Sequence, residues 1–314
     1  MVENPAAFPF SGRAPMAMAP IDPRPLSPGL CALWREVVAA EFGWEQDGAF
    51  LTVPALTGGR VLSYLPFLSY TDMTPAAAER LAQEAGPRRH LIRVLDPDAP
   101  PPSVGDPVTL RASLVGVDAD TLWSHLIPPV CRNRVRRAEK AGIQVQQGRD
   151  PEMVRRFTVL LAGTLARHGA PMLPPTLVQT LVRETRAEIL LAEAAGHDLA
   201  GMVVVPDGDL RWVPWIATDR RAAAEAPGDL LIWHLLCECL VDRVRTVDLG
   251  RSPMGGGTFR FKRKWGAVPV PLRLVGAGRL LQTRYMLAQQ VWRRLPRRLT
   301  DELGPKLVGY LVDY

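Results

Sequence analysis

The fold is decided by residues 247–272, which read VDLGRSPMGGGTFRFKRKWGAVPVPL. Residues 247–249 predict a short buried strand. The strand is expected to end there, because Gly250 opens a segment that includes three successive glycines at residues 255–257. Glycine adopts positive φ at low steric cost, so residues 250–257 predict a tight loop in which a ligand can approach the backbone.

Cations and aromatic side chains alternate directly after these glycines. The cations are Arg260, Lys262 and Lys264, and the aromatic residues are Phe259, Phe261 and Trp265. The aromatic side chains can anchor the segment while the cations display fixed positive charge, which suits an anion or a developing oxyanion. A surface hairpin with a solvated basic face is the alternative interpretation.

Two common phosphate-binding motifs do not fit this segment. A Walker loop ends in Gly-Lys-Ser/Thr, whereas Gly257 is followed here by Thr258. A dinucleotide-binding fingerprint needs a third glycine where Arg260 stands. Nucleotide hydrolysis and NAD binding therefore lose support.

Length and charge narrow the class of protein. A chain of 314 residues suits two units of ordinary domain size, and 47% hydrophobic with 22% charged residues is a globular composition. The formal net charge is +6, from 38 lysines and arginines against 32 acidic residues. This excess favours polyanionic partners such as RNA, nucleotide phosphates or anionic lipid without selecting one.

Cysteine spacing and the N-terminal sequence predict a cytoplasmic protein. The four cysteines form no Cys-x-x-Cys pair, so we expect them to be reduced. Residues 1–28 contain Glu3 and repeated prolines instead of the apolar run of a signal peptide, and they predict a disordered or strapped-on tail. Every run of 18 residues contains a charge or a helix breaker, so no transmembrane helix is expected.

Hydrophobic periodicity predicts an α/β arrangement in both halves of the chain. In the first half we expect helices at residues 30–42 and 74–85, and strands at residues 50–55, 60–66, 90–95 and 109–115. In the second half we expect helices at residues 118–126, 128–142, 151–168, 175–184 and 227–245, and strands at residues 143–147, 187–194, 199–205 and 210–216. Prolines 97, 100, 101, 102 and 107 predict a loop, since they do not fit a sheet interior.

The predicted helix at residues 128–142 presents one basic face. Arg132, Arg136 and Lys140 recur at four-residue spacing, and Asn133 and Arg137 flank them. A solvated charged face is the usual role of such a helix. Its cations exceed what helix stability needs, so binding of a phosphate-bearing ligand is the second interpretation.

A basic amphipathic helix is expected near the C-terminus. Its apolar positions are Leu281, Tyr285, Ala288, Trp292 and Leu295, among arginines within residues 279–298. The apolar stripe predicts packing onto the body of the protein. Peripheral contact of residues 279–298 with the inner face of an anionic membrane is the minority interpretation.

Four segments together resemble the FemAB-like branch of the GNAT acyltransferase superfamily, in its exopolysaccharide- and exosortase-associated form. They are DLGRS at residues 248–252 with GTFRFKRKWGA at residues 257–267, RNRVRRAEKAG at residues 132–142, Arg167-His168-Gly169, and Leu303-Gly304-Pro305. The resemblance implies an α+β fold with tandem GNAT-like units, whose mixed and mostly antiparallel sheets are flanked by helices. It also implies a ligand cleft where the pairing of strands splays apart.

The implied organisation has three parts after the tail. They are a degenerate first unit at residues 29–118, a second unit with the main site at residues 119–275, and a C-terminal helical segment at residues 276–314 that packs back onto the body.

The resemblance implies transfer of an acyl or aminoacyl group from aminoacyl-tRNA or acyl-coenzyme A. The acceptor would be an amine or hydroxyl of an envelope, exopolysaccharide or small-molecule compound. No metal, tightly bound cofactor or DNA partner is expected. The alternatives are a non-catalytic binding protein with a GNAT fold and a basic module that associates with RNA or membranes. An RNA-binding module should interleave exposed aromatics with its cations, and the basic helix itself has none.

Lys262 matches the lysine of the family motif, and the resemblance assigns it to the donor phosphate or the oxyanion. Arg251 is expected to support the same anion. The expected donor-binding residues are Arg132, Asn133, Arg136, Arg137, Lys140, Gly255, Gly256, Gly257 and Thr258. Trp265 is interpreted as a core anchor, and Asp248 as a residue that orients the strand end.

Two residues are candidates for proton transfer. The pKa of histidine is ordinarily near neutrality, which makes His168 the first candidate. A histidine followed by glycine is more often a helix C-terminus, so a structural role for His168 competes with catalysis. Asp72 is a weaker candidate for a general base that faces the acceptor.

Overall fold

The computed structural model describes residues 21–55, 59–276 and 290–310. Most of the predicted tail lies outside this part of the chain. The predicted apolar positions Leu281, Tyr285 and Ala288 also lie outside it.

Most helices occupy nearly the positions that periodicity predicts, and the exceptions are those at residues 257–263 and 297–307. In chain order they are α1 Pro28–Phe42, α2 Pro75–Ala85, α3 Ala119–Thr121, α4 Pro129–Lys140, α5 Pro151–His168, α6 Pro175–Glu184, α7 Pro227–Val241, α8 Gly257–Arg263 and α9 Arg297–Leu307. Leu122–Leu126 continues α3 as a π-helical turn, and Arg220–Ala222 and Val308–Tyr310 are 3₁₀ turns. Ser27 starts α1, because its hydroxyl accepts a hydrogen bond from the N–H of Leu30 at 3.3 Å.

The described residues form one eleven-stranded sheet in the order β1-β2-β3-β4-β11-β5-β10-β9-β8-β7-β6. The strands are β1 Glu45–Asp47, β2 Phe50–Pro54, β3 Arg60–Ser63, β4 His90–Leu95, β5 Pro107–Ser113, β6 Gln144–Gly148, β7 Glu188–Ala194, β8 His197–Asp207, β9 Leu210–Thr218, β10 Thr246–Pro253 and β11 Val268–Gly276. Only the pairs β3–β4 and β9–β10 are parallel among these neighbours. The predicted fold class, a mixed and mostly antiparallel sheet flanked by helices, is confirmed.

Strand pairing crosses the predicted boundary between the two units. β11 pairs with β5 through residues 268–271 and with β4 through residues 272–276. β5, from the first predicted unit, also pairs with β10 from the second. The sheet therefore contains strands from both predicted units and is continuous across the boundary between them. The division into two units stays a prediction.

Two hydrophobic cores lie on opposite faces of the sheet. Ile189 and Leu191 of β7 belong to the core that contains α1, α5 and α6, whereas Leu190 and Ala192 belong to the core of α4 and α7. This division follows from the two-residue period of a strand, which sends successive side chains to opposite faces. β7 and β8 are therefore apolar on both faces, as expected for strands covered by helices on each side.

The glycine-rich segment differs from the prediction. β10 does not end at Leu249 but continues to Pro253, with a register shift between Asp248 and Arg251. A bulge of this kind absorbs an extra residue without ending the strand, so Gly250 bends β10 instead of terminating it. The alternating cations and aromatics form the short helix α8, not a loop or a hairpin.

One proline of the predicted loop belongs to the sheet. Pro107 is the first residue of β5 and lies opposite Pro253 of β10. A proline is tolerated at the first residue of a strand, where its missing N–H disturbs the ladder least. The expectation that Pro107 stays outside the sheet is therefore wrong.

Both ends of the described chain pack on the body. The segment at residues 21–27, here called the N-terminal strap, buries Leu26, and Arg24 forms an ion pair with Asp209. At the other end, a Cβ placed on Gly304 of α9 would lie 2.8 Å from the backbone nitrogen of Met172, so this helix lies directly against the α5–α6 connection.

The four cysteines are free thiols. In the part of the chain that the structure describes, none of the helices is long and apolar enough to cross a bilayer.

Candidate functional site

β9 and β10 separate at the centre of the sheet. Their parallel pairing covers residues 246–248 and 210–212 only, although β9 continues to Thr218 and β10 to Pro253. Gly250 lies at the point of separation with φ +76°, and a Cβ placed on it would lie 2.4 Å from the carbonyl oxygen of Val213. Only glycine fits this close approach, and the described parts of β9 and β10 have no paired residues beyond Asp248 and Trp212.

A buried polar network lies beneath this opening, centred on Asp248. Its Oδ2 accepts hydrogen bonds from the hydroxyl of Tyr70 at 2.6 Å and from Nε of Arg111 at 2.8 Å. Its Oδ1 accepts from the hydroxyl of Thr109 at 2.5 Å. Because each of these side chains is fully buried, the Asp248–Arg111 charge pair needs all of these bonds to offset its desolvation.

The Asp248 carboxylate also shapes the bulge of β10. Its Oδ1 accepts the N–H of Gly250 at 2.8 Å. The carbonyl oxygens of Gly250 and Arg251 then both accept hydrogen bonds from Nζ of Lys262, each at 3.0 Å. Asp248 therefore holds the backbone at Gly250, whose carbonyl is one of the two that accept from Lys262.

Lys262 is a buried amine in α8 with only 7% of its surface exposed. Burial lowers its pKa from the ordinary value of 10.5 to about 7; the charge of Asp248 acts against this shift, and that of Arg251 adds to it. An ammonium group has three donors, and the two carbonyls use two of them. The third is suited to an oxygen that gains negative charge.

The remaining residues of the glycine-rich segment lie around the start of α8. Gly255, which has φ +76°, and Gly256 precede the helix and are half-buried, whereas Gly257 and Thr258 open its first turn and are exposed. Arg251 is half-buried and close enough to Lys262 to lower its pKa. The structure thus brings the predicted residues 251, 255–258 and 262 into one region.

The basic helix α4 has mixed surroundings. The side chains of Asn133 and Lys140 are exposed. NH1 of Arg132 donates to the carbonyl oxygens of Trp123, Ser124 and Ile127 at 2.8–3.2 Å, so this residue closes the end of the π-helical turn. NH1 of Arg137 donates to the carbonyl oxygen of Ala224 at 3.3 Å, which points it towards the turn before α7.

Aromatic side chains from neighbouring elements accompany this helix, although its own sequence contains none. The guanidinium of Arg136 lies 5.6 Å from the ring centroid of Trp123, and the Trp123 and Trp233 rings lie 4.5 Å apart. These tryptophans come from the π-helical turn and from α7. The sequence of α4 alone does not reveal them, because only packing brings the three elements together.

A second buried carboxylate, Asp229, holds two cations at the first turn of α7. Nζ of Lys264 lies 2.5 Å from its Oδ1, and NH1 of Arg134 lies 3.5 Å from its Oδ2. Nε1 of Trp265 also donates to Oδ1 at 3.2 Å, and its ring is buried as the anchor interpretation requires. One carboxylate with two cations leaves excess positive charge at a helix N-terminus, which favours anions.

Sequence reasoning missed several of these residues, although a signal was present for two. Arg111 is the only charge in the predicted strand at residues 109–115, and Asp229 is the only acid in the first turn of an apolar helix. A single charge inside an apolar element indicates a buried partner. Tyr70 and Thr109 carry no comparable signal.

The two candidates for proton transfer, His168 and Asp72, make other contacts. His168 ends α5 before Gly169, which has φ +73°, and burial together with the charges of Arg167 and Arg293 lowers its pKa. Asp72 accepts a hydrogen bond from the hydroxyl of Tyr64 at 3.1 Å. In the described part of the chain, neither residue forms a hydrogen bond or an ion pair with Lys262.

No group of three or more histidine, cysteine or acidic side chains among the described residues is arranged to hold a metal ion.

Comparison with known proteins identifies the fold around this site. Residues 130–263 match the family model described as an acetyltransferase (GNAT) domain. The structure is similar to the crystal structure of FemX, with a TM-score of 0.58 and 14% identity over 88% of this chain and 100% of that chain. It is also similar to L-PGS from Bacillus licheniformis, with a TM-score of 0.54 and 13% identity over 87% of this chain and 99% of that chain.

A third solved structure is the C-terminal DUF2156 domain of an Agrobacterium fabrum protein described as a lysylphosphatidylglycerol synthetase. Its TM-score is 0.51, with 12% identity over 84% of this chain and 96% of that chain. No curated protein matches the sequence. Together these findings confirm the predicted resemblance: residues 130–263 match the acetyltransferase (GNAT) domain model, and the chain has the fold seen in FemX and L-PGS.

Proposed function

We propose that this protein transfers an acyl or aminoacyl group from an activated ester or thioester to an amine or hydroxyl. The observation that carries the proposal is the buried amine of Lys262, held by two carbonyls beside the splayed strands β9 and β10. Attack on an ester or thioester carbonyl develops negative charge on oxygen, and a fixed donor in a site with little water stabilises that charge. Lys262 is the donor in this proposal, with Arg251 supporting the same anion.

The donor substrate in this proposal carries phosphate. Arg134 and Lys264 share one carboxylate at the N-terminus of α7, and Arg137 lies against the preceding turn. Cations at a helix N-terminus bind phosphate without any specialised motif. Both aminoacyl-tRNA and acyl-coenzyme A satisfy this requirement, and both are cytoplasmic compounds.

We favour aminoacyl-tRNA as the donor. The cations from Arg132 to Lys140 on α4, with the Arg136 guanidinium 5.6 Å from the centroid of the Trp123 ring, extend over a longer surface than one pyrophosphate needs. A tryptophan beside arginine also suits an unpaired nucleotide. Acyl-coenzyme A remains the second donor, and the acceptor is an amine or hydroxyl of an envelope, exopolysaccharide or small-molecule compound.

Hydroxylamine tests the reaction class without knowledge of the natural acceptor. It replaces the acceptor and converts an ester or thioester into a hydroxamate, which is measured directly. The protein is incubated with hydroxylamine and either a mixture of aminoacyl-tRNAs or acetyl-coenzyme A. Hydroxamate formation above the rate without protein is expected with one donor class. Binding of a donor with no hydroxamate from either class would instead support a non-catalytic GNAT-fold protein.

A further inference from the structure

The hydrogen bonds of Lys262 leave one position on its side-chain nitrogen for another group. Nζ is tetrahedral, with the side chain at one corner and the donors to Gly250 and Arg251 at two more. In the ammonium form the fourth corner carries a third N–H, whereas in the neutral amine it carries a lone pair. The charge of Lys262 therefore decides whether this corner donates a proton or accepts one.

Asp248 is not a bonded counter-ion of this amine. A carboxylate has about four lone-pair positions, two on each oxygen. The four donors that Asp248 accepts are the N–H of Gly250 and the side chains of Tyr70, Thr109 and Arg111. These positions are thus filled, and the ion pair with Arg111 balances the charge of Asp248. Among the described residues, Lys262 forms no ion pair.

These surroundings favour the neutral form of Lys262. Only 7% of its surface is exposed, and loss of water disfavours a charged amine. Its two bonded partners are uncharged carbonyl groups. Burial lowers the pKa of Lys262 to about 7, against the charge of Asp248 and with that of Arg251. A base with such a pKa is effective near neutral pH.

The buried carboxylates of the site are poor bases by comparison. Asp248 is fully buried with its lone-pair positions filled, and Asp229 is held by Nζ of Lys264 at 2.5 Å and by Arg134. A neighbouring cation stabilises the charged form of a carboxylate and so lowers its affinity for a proton.

Lys262 also lies where the strands separate. A Cβ placed on Gly250 would lie 3.9 Å from Nζ and 2.4 Å from the carbonyl oxygen of Val213 in β9. The amine therefore adjoins the opening between β9 and β10, where the proposed reaction takes place.

We propose that Lys262 is the proton-transfer group of the reaction: its neutral amine takes the proton of the attacking amine or hydroxyl and then passes it to the leaving group. The inference rests on the proposed acyl transfer. It adds a base to the role of Lys262, which the proposed function treats as a donor alone.

One proton serves both roles in sequence. The lone pair of the acceptor attacks the acyl carbonyl carbon and forms a C–N or C–O bond, while the π electrons move onto the carbonyl oxygen. Nζ takes the proton that the acceptor loses, and the resulting third N–H donates to the oxyanion. When the carbonyl re-forms, the C–O or C–S bond of the donor breaks. The departing oxygen or sulfur takes the proton from Nζ, which returns to the neutral amine.

NMR of the lysine side chains measures the protonation of this amine directly. In protein labelled with a carbon isotope at lysine Cε, the signal that is missing from Lys262→Met belongs to Lys262. This signal should titrate with a midpoint at about pH 7. The signal of Lys306, an exposed lysine on α9, should not titrate below about pH 9. A Lys262 signal that behaves like that of Lys306 would overturn the inference.

The pH dependence of the rate tests the use of the neutral form. Hydroxamate formation by the wild type is measured at saturating donor and hydroxylamine, with the rate without protein subtracted. The rate should rise about tenfold between about pH 6 and about pH 8, because the neutral fraction of a group with a pKa of about 7 rises by that factor. A rate that falls or stays constant would mean that a charged Lys262 only donates.

Lys262→Arg separates a base from a donor. Arginine keeps positive charge and N–H donors but does not accept a proton in proteins. We expect Lys262→Arg to lose about 10²-fold to 10⁴-fold in rate, the usual contribution of a positioned base, and Lys306→Arg to keep the wild-type rate. A Lys262→Arg protein with near wild-type activity would overturn the inference. The two measurements on the wild type apply even where Lys262→Arg does not fold.

These results separate the inference from the proposed function. Absence of hydroxamate at every pH would refute the acyl transfer, and the role of Lys262 in it would fall as well. Hydroxamate formation with a charged Lys262 would refute the base role alone.

Discussion

At the scale of the residue, the site depends on one buried amine and the carboxylate that organises its surroundings. Asp248 holds the N–H of Gly250, and the carbonyl of Gly250 holds Lys262. The interpretation of Asp248 as an orienting residue is consistent with these bonds. The roles assigned to Lys262 and Arg251 stay predictions, which substitution can test.

Lys262→Met should lower the rate of hydroxamate formation by about 10²-fold to 10³-fold, the usual cost of losing one oxyanion donor. Methionine keeps the length and the apolar stem of lysine, so the fold should persist. Lys306→Met on α9 changes an exposed lysine and is the control. A Lys262→Met protein that keeps the wild-type rate at saturating donor and hydroxylamine would show that this amine is not used.

The pKa of Lys262 predicts a specific effect of pH on stability. Folding lowers this pKa from 10.5 to about 7, so between these values the unfolded chain binds more protons than the folded protein. The free energy of unfolding of the wild type should therefore rise with pH through this window, relative to Lys262→Met. Urea unfolding of both proteins at about pH 6.5 and about pH 9 measures the difference. A difference that falls or stays constant would mean that Lys262 keeps its charge in the folded state.

At the scale of the element, the glycines of residues 250–257 differ in whether the backbone requires them. Some take a conformation or a close contact that a side chain would prevent, and others have open space around them. Gly250 combines positive φ with an approach to Val213, whereas a Cβ placed on Gly257 meets no atom within 4 Å. The sequence shows three adjacent glycines at 255–257 and draws attention there. The decisive glycine for the splay is Gly250, five residues earlier.

Gly250→Ala should destabilise the protein by about 2–5 kcal/mol, because it combines left-handed backbone strain with a steric clash. Gly257→Ala should unfold at nearly the wild-type denaturant concentration. Denaturant titration of the two variants makes the comparison. Wild-type stability of Gly250→Ala would mean that β9 and β10 can separate further without cost.

The basic surface formed by α4 and the N-terminus of α7 predicts how salt acts on donor binding. A tRNA donor that meets several of these cations should lose affinity by on the order of 10³ or more between low and physiological salt, since counterions are released on binding. A coenzyme A thioester, with few phosphates, should lose much less. Affinity for each donor is measured over a salt series. A shallow slope with micromolar binding of acetyl-coenzyme A would select the thioester.

At the scale of the whole molecule, the sheet and the N-terminal strap join distant segments around the site. β11 lies between β4 and β5, and the strap supplies the carbonyl oxygens of Asp22 and Arg24 to NH1 of Arg111 at 2.7 and 2.8 Å. Arg111 in turn contacts Asp248. The strap therefore supplies two hydrogen-bond acceptors to the buried network around Asp248.

Leu26→Ala should test the importance of the strap. Leu26 is buried, and truncation of a buried leucine usually costs about 2–5 kcal/mol. We expect a lower unfolding temperature and a lower rate of hydroxamate formation, because Arg111 loses fixed partners when the strap loosens. Val104→Ala, at an exposed position, is the control. A destabilised Leu26→Ala protein with an unchanged rate of hydroxamate formation would mean that the strap stabilises the fold without affecting the site.

The sequence by itself determined most of the elements, because helices and strands follow from local periodicity and capping. The bounds of α5 and α6 agree with the prediction. Local signals also placed Trp265 in the core. Periodicity alone predicted only an α/β arrangement, and the mixed, mostly antiparallel sheet was predicted from the family resemblance.

Only the tertiary structure decided which residues meet. Asp248 is contacted by Tyr70, Thr109 and Arg111, each more than a hundred residues away in sequence, and no periodicity predicts such a contact. The continuation of β10 through Gly250 likewise depends on its partner β5, since a bulge is defined by pairing between strands. Local sequence specifies conformation, whereas burial, pairing and charge balance are properties of contacts between distant segments.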